Sequence, residues 1–143
     1  MRQMRVSEVM VKEPTVVRLD TSVKKVAELM RERSIGSVII VEGERPVGII
    51  TERDLVHRVL ALGRDPASLR AKDVCSMPVV AFSEMGYVED ACDTMKEYGV
   101  RRLVVVDGRD RVAGILTTDD LVYNLRSMSE ELAVKFLIAR RRS

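Results

Sequence analysis

Apolar and polar positions alternate along this chain in one pattern that is written twice. In the first copy Val16 and Val17 follow Pro14 as a short strand. Val23, Val26, Ala27 and Met30 then recur at i, i+3, i+4 and i+7, the spacing of a helix with one buried face. The β-branched run at 38–41 reads as a buried strand, and the turn EGERP leads to a second apolar strand at 47–50. A helix carrying Leu55, Val56, Val59 and Leu60 closes the unit. The second copy answers each piece: a strand at 79–82 after Pro78, a helix with Val88, Ala91, Cys92 and Met95, strands at 103–106 and 112–116 around DGRDR, and a helix with Leu121, Val122 and Leu125.

The correspondence extends to letters. SEVMVKEPTVV (7–17) matches KDVCSMPVVAF (72–82), MRERSIGSVIIVEG (30–43) matches MKEYGVRRLVVVDG (95–108), and both copies end on one heptad, GIITERD at 48–54 and GILTTDD at 114–120. An internal repeat of this kind decides the architecture before any local detail does. Each half is strand, helix, strand, strand, helix, too small to bury its sheet alone. The expectation is an α/β (α+β) fold of two pseudo-twofold related repeats with their sheets packed together. The divisions are 1–65 for the first repeat with its N-terminal segment, 66–128 for the second, and 129–143 for a C-terminal helix, with GRDPASLR (63–70) as the linker.

Composition narrows the function. At 143 residues a self-sufficient core is expected, since a chain of that size buries roughly 68–70% of its unfolded surface. A net charge of +2 and 3% aromatic residues supply neither the electrostatic footprint nor the stacking platforms of a nucleic-acid binder. Neither a bilayer-length apolar run nor a signal-type N-terminus is present, so a soluble, cytoplasmic protein is expected. Cys75 and Cys92 read as small apolar filling, and His57 as a solvated helical histidine. Without a nucleophile–base pair, a Walker lysine loop or zinc spacing, catalysis by this chain is not expected. The ARRR ending reads as a solvated terminus whose cations suit the helix dipole.

The heptad supports two readings. Thr-x-x-Asp at a helix start is a capping box, in which Thr51 or Thr117 accepts from a backbone N–H and Asp54 or Asp120 reaches back. That accounts for Thr and Asp but leaves Gly48 and Gly114, which sit in strands, unexplained. A ligand reading accounts for all three: the carboxylate accepts from both hydroxyls of a ribose, Thr bonds sugar or phosphate, the helix start favours an anion, and Gly leaves room beside the strand.

On EPTVV and MPVVA, SIGSVIIVEG and GVRRLVVVDG, and GIITERDL and GILTTDDL, the chain resembles a tandem pair of cystathionine-beta-synthase (CBS) domains, a Bateman module, over nearly all of its length before Met128. GVRRLVVVDG is similar to the nucleotide-sensing repeats of the AMP-activated kinase gamma subunit. The resemblance implies two clefts, each combining the closing motif of one repeat with the opening strand of the other. In the first, Asp54 holds the ribose and Thr51 supports the sugar or phosphate, Ile49, Pro78, Val79 and Val80 enclose adenine, and Arg101, Arg102 and Arg53 meet phosphate. In the second, Asp120 and Thr117 take those roles, with Ile115, Pro14, Thr15 and Val16 around the base, Gly36 and Ser37 matching the two arginines, and acidic Asp119 matching Arg53. The Asp54 cleft is therefore expected to be the tighter phosphate site. The resemblance further implies an adenine-nucleotide sensor, AMP preferred over ADP, ATP or S-adenosylmethionine, acting as a homodimer on a separate protein. The rivals are a ligand-free structural module and a gene regulator using the ARRR tail.

Overall fold

The computed structural model describes residues 3–124 and 130–141. Its strands are β1 (Val11–Lys12), β2 (Val16–Arg18), β3 (Ser37–Glu42), β4 (Arg45–Thr51), β5 (Ala81–Ser83), β6 (Arg102–Val106) and β7 (Val112–Thr117). The helices are α1 (Val23–Arg33), α2 (Glu52–Leu55), α3 (Ala71–Val74), α4 (Val88–Tyr98), α5 (Thr118–Tyr123) and α6 (Glu130–Arg141). Leu125 and Arg142, expected in the closing helix and the basic tail, lie outside the described residues.

The chain forms two compact units, residues 14–79 and residues 1–13 with 80–143. In the first, β2 pairs in parallel with β3, and β3 in antiparallel with β4. In the second, β5, β6 and β7 repeat that arrangement, and β1 adds antiparallel to the free edge of β7. Each is an α/β unit of a small sheet packed with helices, as the repeat predicts. The β-branched runs sit at the centre: Val38, Ile39, Ile40 and Ile50 in one unit, and Leu103, Val105 and Leu116 in the other, are fully buried.

Helix burial follows the predicted spacing with one exception. Val88, Ala91, Cys92 and Met95 all face the core of their unit, but in α1 only Val23, Val26 and Met30 do; Ala27 is exposed and Leu29 packs in its place. The helix after Asp54 also departs from expectation. Its backbone widens into a π turn over Val56–Leu60, Ala61 N–H reaching Val56 O at 2.9 Å, and Val56 and Leu60 point outward while Val59 is buried.

The segment that opens each repeat packs into the unit of the other repeat. Val6 N–H donates to Gly86 O (2.8 Å), Ser7 N–H to Glu84 O (3.0 Å), and Val88 N–H to Met4 O (2.8 Å), tying the N-terminal residues to 84–88. The Arg5 guanidinium lies 4.7 Å from the Tyr87 ring and donates to Met85 O. In the other unit the corresponding residues do the same: Val23 N–H donates to Leu69 O (2.9 Å), Ala71 N–H to Thr21 O (2.7 Å), and Lys72 N–H to Leu19 O (3.0 Å). Leu69, from the expected linker, is thereby a core residue.

Candidate functional site

Both heptads end a strand and begin a helix, and both form the complete capping box. Thr51 N–H donates to Asp54 Oδ2 at 2.8 Å, the Thr51 hydroxyl to the same oxygen at 3.1 Å, and Asp54 N–H returns a bond to Thr51 Oγ1 at 3.3 Å. The corresponding distances for Thr117 and Asp120 are 2.8, 2.9 and 3.1 Å. A carboxylate offers about four acceptor positions. The cap engages Oδ2 and holds the group in one rotamer, so Oδ1 is the oxygen presented for any further hydroxyl.

The glycines answer to the fold. A Cβ on Gly114 would lie 2.6 Å from Met10 Sδ and 2.7 Å from Val11 O; one on Gly48 would lie 3.1 Å from Met77 Cγ and 3.3 Å from Ser76 O. The room beside each strand, expected for a ligand, is filled by the exchanged opening segment. Around Gly48 that segment bonds back, Ile49 N–H to Ser76 O at 3.2 Å and Ser76 N–H to Ile49 O at 3.0 Å.

The two motifs have different surroundings. In the unit of residues 14–79, Ser37 is the strand partner of Thr51, and Gly36 O accepts from Glu52 N–H at 3.0 Å. Asp54 is largely covered, its side chain 12% exposed, with Arg58 Nε 3.7 Å from Oδ1. Arg58 is fixed by donating to Val74 O (3.1 Å) and Cys75 O (3.2 Å). The Asp-to-Arg step of four residues was the sequence signal for this contact. Arg53 and His57 are exposed.

In the other unit, Arg102 is the strand partner of Thr117, and Arg101 O accepts from Thr118 N–H at 3.0 Å. Arg101, Arg102, Thr117, Thr118, Asp119 and Arg140 line a cleft of about 110 Å³, room for several waters or one phosphate group. Arg140 Nη2 is 3.7 Å from Asp119 Oδ1, and Arg101 Nη2 donates to Arg140 O at 3.4 Å. Four residues beyond Asp120 stands Asn124, whose amide donates to Asp120 O at 2.7 Å.

The expected grouping of Arg101 and Arg102 with Asp54, and of Gly36 and Ser37 with Asp120, is one between repeats. Within each unit the hairpin brings the start of the first long strand to the end of the second, so Arg102 lies beside Thr117 and Ser37 beside Thr51. The Asp120 motif has the arginine pair; the Asp54 motif has Gly36, Ser37 and Arg58. Asp119, expected to repel a phosphate, has Arg140 as counter-ion.

The remaining candidates take these places. Pro14, Thr15, Val16, Ile49, Pro78 and Val79 belong to the unit of Asp54, and Val80 and Ile115 to that of Asp120. Thr15 Oγ1 accepts from Arg33 Nη1 at 2.9 Å, and Val16 is exposed. Val80 O accepts from Val104 N–H at 3.1 Å, and Ile115 is buried between Val104 and Val11. Among the described residues no group of three or more His, Cys, Asp or Glu is placed to hold a metal, and no helix is long and apolar enough to cross a membrane.

A family model described as the CBS domain matches residues 6–61 and again 71–127. The chain belongs to the CBS-domain family, as a tandem pair. It is 41% identical over 113 residues to the uncharacterised protein MK0525 of Methanopyrus kandleri, a match covering 76% of this chain and 58% of that one. It thus spans about three fifths of that relative's length. Among solved structures, the conserved CBS-domain protein TA0289 of Thermoplasma acidophilum superposes with a TM-score of 0.82 at 26% identity, over 98% of this chain and 78% of that one. The CBS-domain protein PAE2072 of Pyrobaculum aerophilum, solved with AMP, has a TM-score of 0.79 at 21% identity over 94% and 99% of the two chains.

Proposed function

We propose that this CBS pair binds an adenine nucleotide, AMP by preference, and passes its occupancy to a separate protein in the cytoplasm. The observation that carries the reading is the cleft in which Arg101 and Arg102 line one wall with Thr117, the residue that Asp120 caps. Guanidinium groups make charge-assisted, often bidentate contacts to phosphate. Asp120 Oδ1 takes a ribose hydroxyl, Thr117 supports the sugar, and Arg101 and Arg102 meet the phosphate. Thr51 and Asp54, with neutral Gly36 and Ser37 as neighbours and Arg58 on the carboxylate, suit a less charged adenosine compound. Pro14, Thr15, Val16, Ile49, Pro78, Val79, Val80 and Ile115 are the apolar and backbone candidates for holding a base. The AMP complex of the Pyrobaculum protein is consistent with this ligand class.

A second reading also has an observation in its favour. Both Thr-x-x-Asp motifs form complete helix caps without a ligand, as a ligand-free structural module requires. Under either reading a homodimer is proposed, since Val56, Leu60 and Leu62, all in the segment after α2, are each exposed.

Calorimetric titration of ligand-stripped protein with AMP, ADP, ATP and S-adenosylmethionine separates the two. The sensor reading expects AMP to bind, and Arg101→Glu with Arg102→Glu to weaken it by at least about tenfold, at about 1.5–3 kcal/mol per charged hydrogen bond, while Arg53→Glu leaves it unchanged. No heat with any of the four ligands would favour the structural module. Equal loss in the Arg53 variant would move the phosphate back to the Asp54 motif.

A further inference from the structure

We propose that Arg140, on the helix that follows the second repeat, is a third guanidinium of the anion cleft and sets its preference for phosphorylated over unphosphorylated ligand. The proposal rests on the reading that the Thr117–Asp120 motif binds an adenosine ligand. Neither repeat contains this residue, and the repeat pattern does not announce it.

The helix is held where it can serve. Lys135 Nζ bonds Glu89 at 3.4 Å and Asp93 at 3.3 Å on α4, and both contacts raise the Lys135 pKa, Asp93 the more. Leu132 packs against the core of the unit, and Ala139 is 3% exposed. These anchors bring the last turn of α6 over the cleft, where Arg140 and Arg101 are joined through the Arg140 carbonyl.

Asp119 pairs with Arg140 at 3.7 Å, with the Arg140 and Asp119 side chains 47% and 81% exposed. So open an ion pair is worth little, because water and salt screen it. A phosphate monoester carries about −1.5 to −2 charges at neutral pH. It therefore outcompetes one solvated carboxylate for the guanidinium, and Asp119 returns to water at small cost. Arg101 and Arg102 are offset by the carboxylates of Asp119 and Asp120, so without Arg140 the site is neutral; Arg140 makes it net positive, which favours an anion. Adenosine brings no charge and is indifferent to the change.

The test compares AMP with adenosine on the full chain by calorimetry, for wild type, Arg140→Gln, Arg140→Lys and Asp119→Asn, with thermal melts confirming folding. Arg140→Gln is expected to weaken AMP by about tenfold and leave adenosine unchanged. Arg140→Lys should fall between, since it keeps the charge but loses the planar fork, and Asp119→Asn should tighten AMP by removing a negative charge from the cleft. AMP affinity unchanged in Arg140→Gln, or AMP and adenosine weakened alike, overturns the proposal. If wild type binds neither, the nucleotide reading fails on its own, and pyrophosphate decides the cleft. Amide shifts at Arg101 and Arg102 on adding pyrophosphate, lost in Arg140→Gln, retain the three-arginine anion site; their absence overturns it.

Discussion

The Asp120 carboxylate is asked to cap a helix and to hold a ligand, and two substitutions separate the tasks. Asp120→Ala removes the acceptor for Thr117 N–H (2.8 Å) and the Thr117 hydroxyl (2.9 Å) together. Losing a cap costs about 0.5–2 kcal/mol, and a part-buried N–H without an acceptor adds to it. We expect about 1–2 kcal/mol in all, or roughly 2–8 °C in Tm at about 2–4 °C per kcal/mol for a chain of this size. Asp120→Asn keeps an oxygen for Thr117 and should melt within roughly 2 °C of wild type. It lacks the charge, however, and a charged acceptor is worth about 1 kcal/mol more than a neutral one. AMP should therefore bind about fivefold to tenfold more weakly to Asp120→Asn in calorimetry. The matched pair at Asp54 should show the same difference in Tm with little change in AMP affinity. Wild-type AMP affinity in Asp120→Asn would mean that the carboxylate only caps; an unchanged Tm in Asp120→Ala would remove the cap argument itself.

Gly114→Ala places a methyl 2.7 Å from Val11 O, a backbone atom that cannot turn aside, whereas Gly48→Ala meets Met77 Cγ at 3.1 Å, part of a flexible side chain. Overpacking of the first kind costs about 1–3 kcal/mol, so urea melts should rank Gly114→Ala well below Gly48→Ala, with faster amide exchange at Val11 and Lys12; equal stabilities would refute the close approach. Burial pushes the Cys92 thiol up to about 12 from an ordinary 9.0, with Asp93 adding to it, and raises Cys75 less far. The folded state then keeps a proton that the unfolded state loses, so the stabilisation is complete below pH 9 and declines as pH rises from about 9 toward 12. Native protein at pH 8 should resist thiol reagents at Cys92, and labelling at the rate of the unfolded chain would contradict its burial.

Much of the fold was legible because its signals are local. The β-branched runs at 38–41 and 103–106 became β3 and β6, and the i, i+3, i+4, i+7 spacing found both long helices. What the sequence concealed was long-range. Nothing local in VMVK marks β1 as a partner of β7 about a hundred residues on, and Gly114 is a glycine because of that partner. The same limit hid the pairing of Arg102 with Thr117 inside the second repeat. Aligning the repeats identifies which positions are equivalent, but only strand register identifies which positions touch. Arg140 was read as a solvated tail because its partner, Asp119, belongs to another element.

The answer to why the heptad occurs twice follows from that register. Both copies serve the fold, since each glycine admits an opening segment and each Thr–Asp pair starts a helix. Only one copy has arginines at the facing strand position, so a symmetric backbone carries an asymmetric charge. Because Thr117 and Asp120 are already locked in their cap, a ligand arriving there has no ordering of the motif to transmit. A sensor responds only through contacts that differ between its free and bound states. In this cleft the exposed Arg140–Asp119 pair is the contact open to exchange, and it ties occupancy to α6, the element outside the repeats.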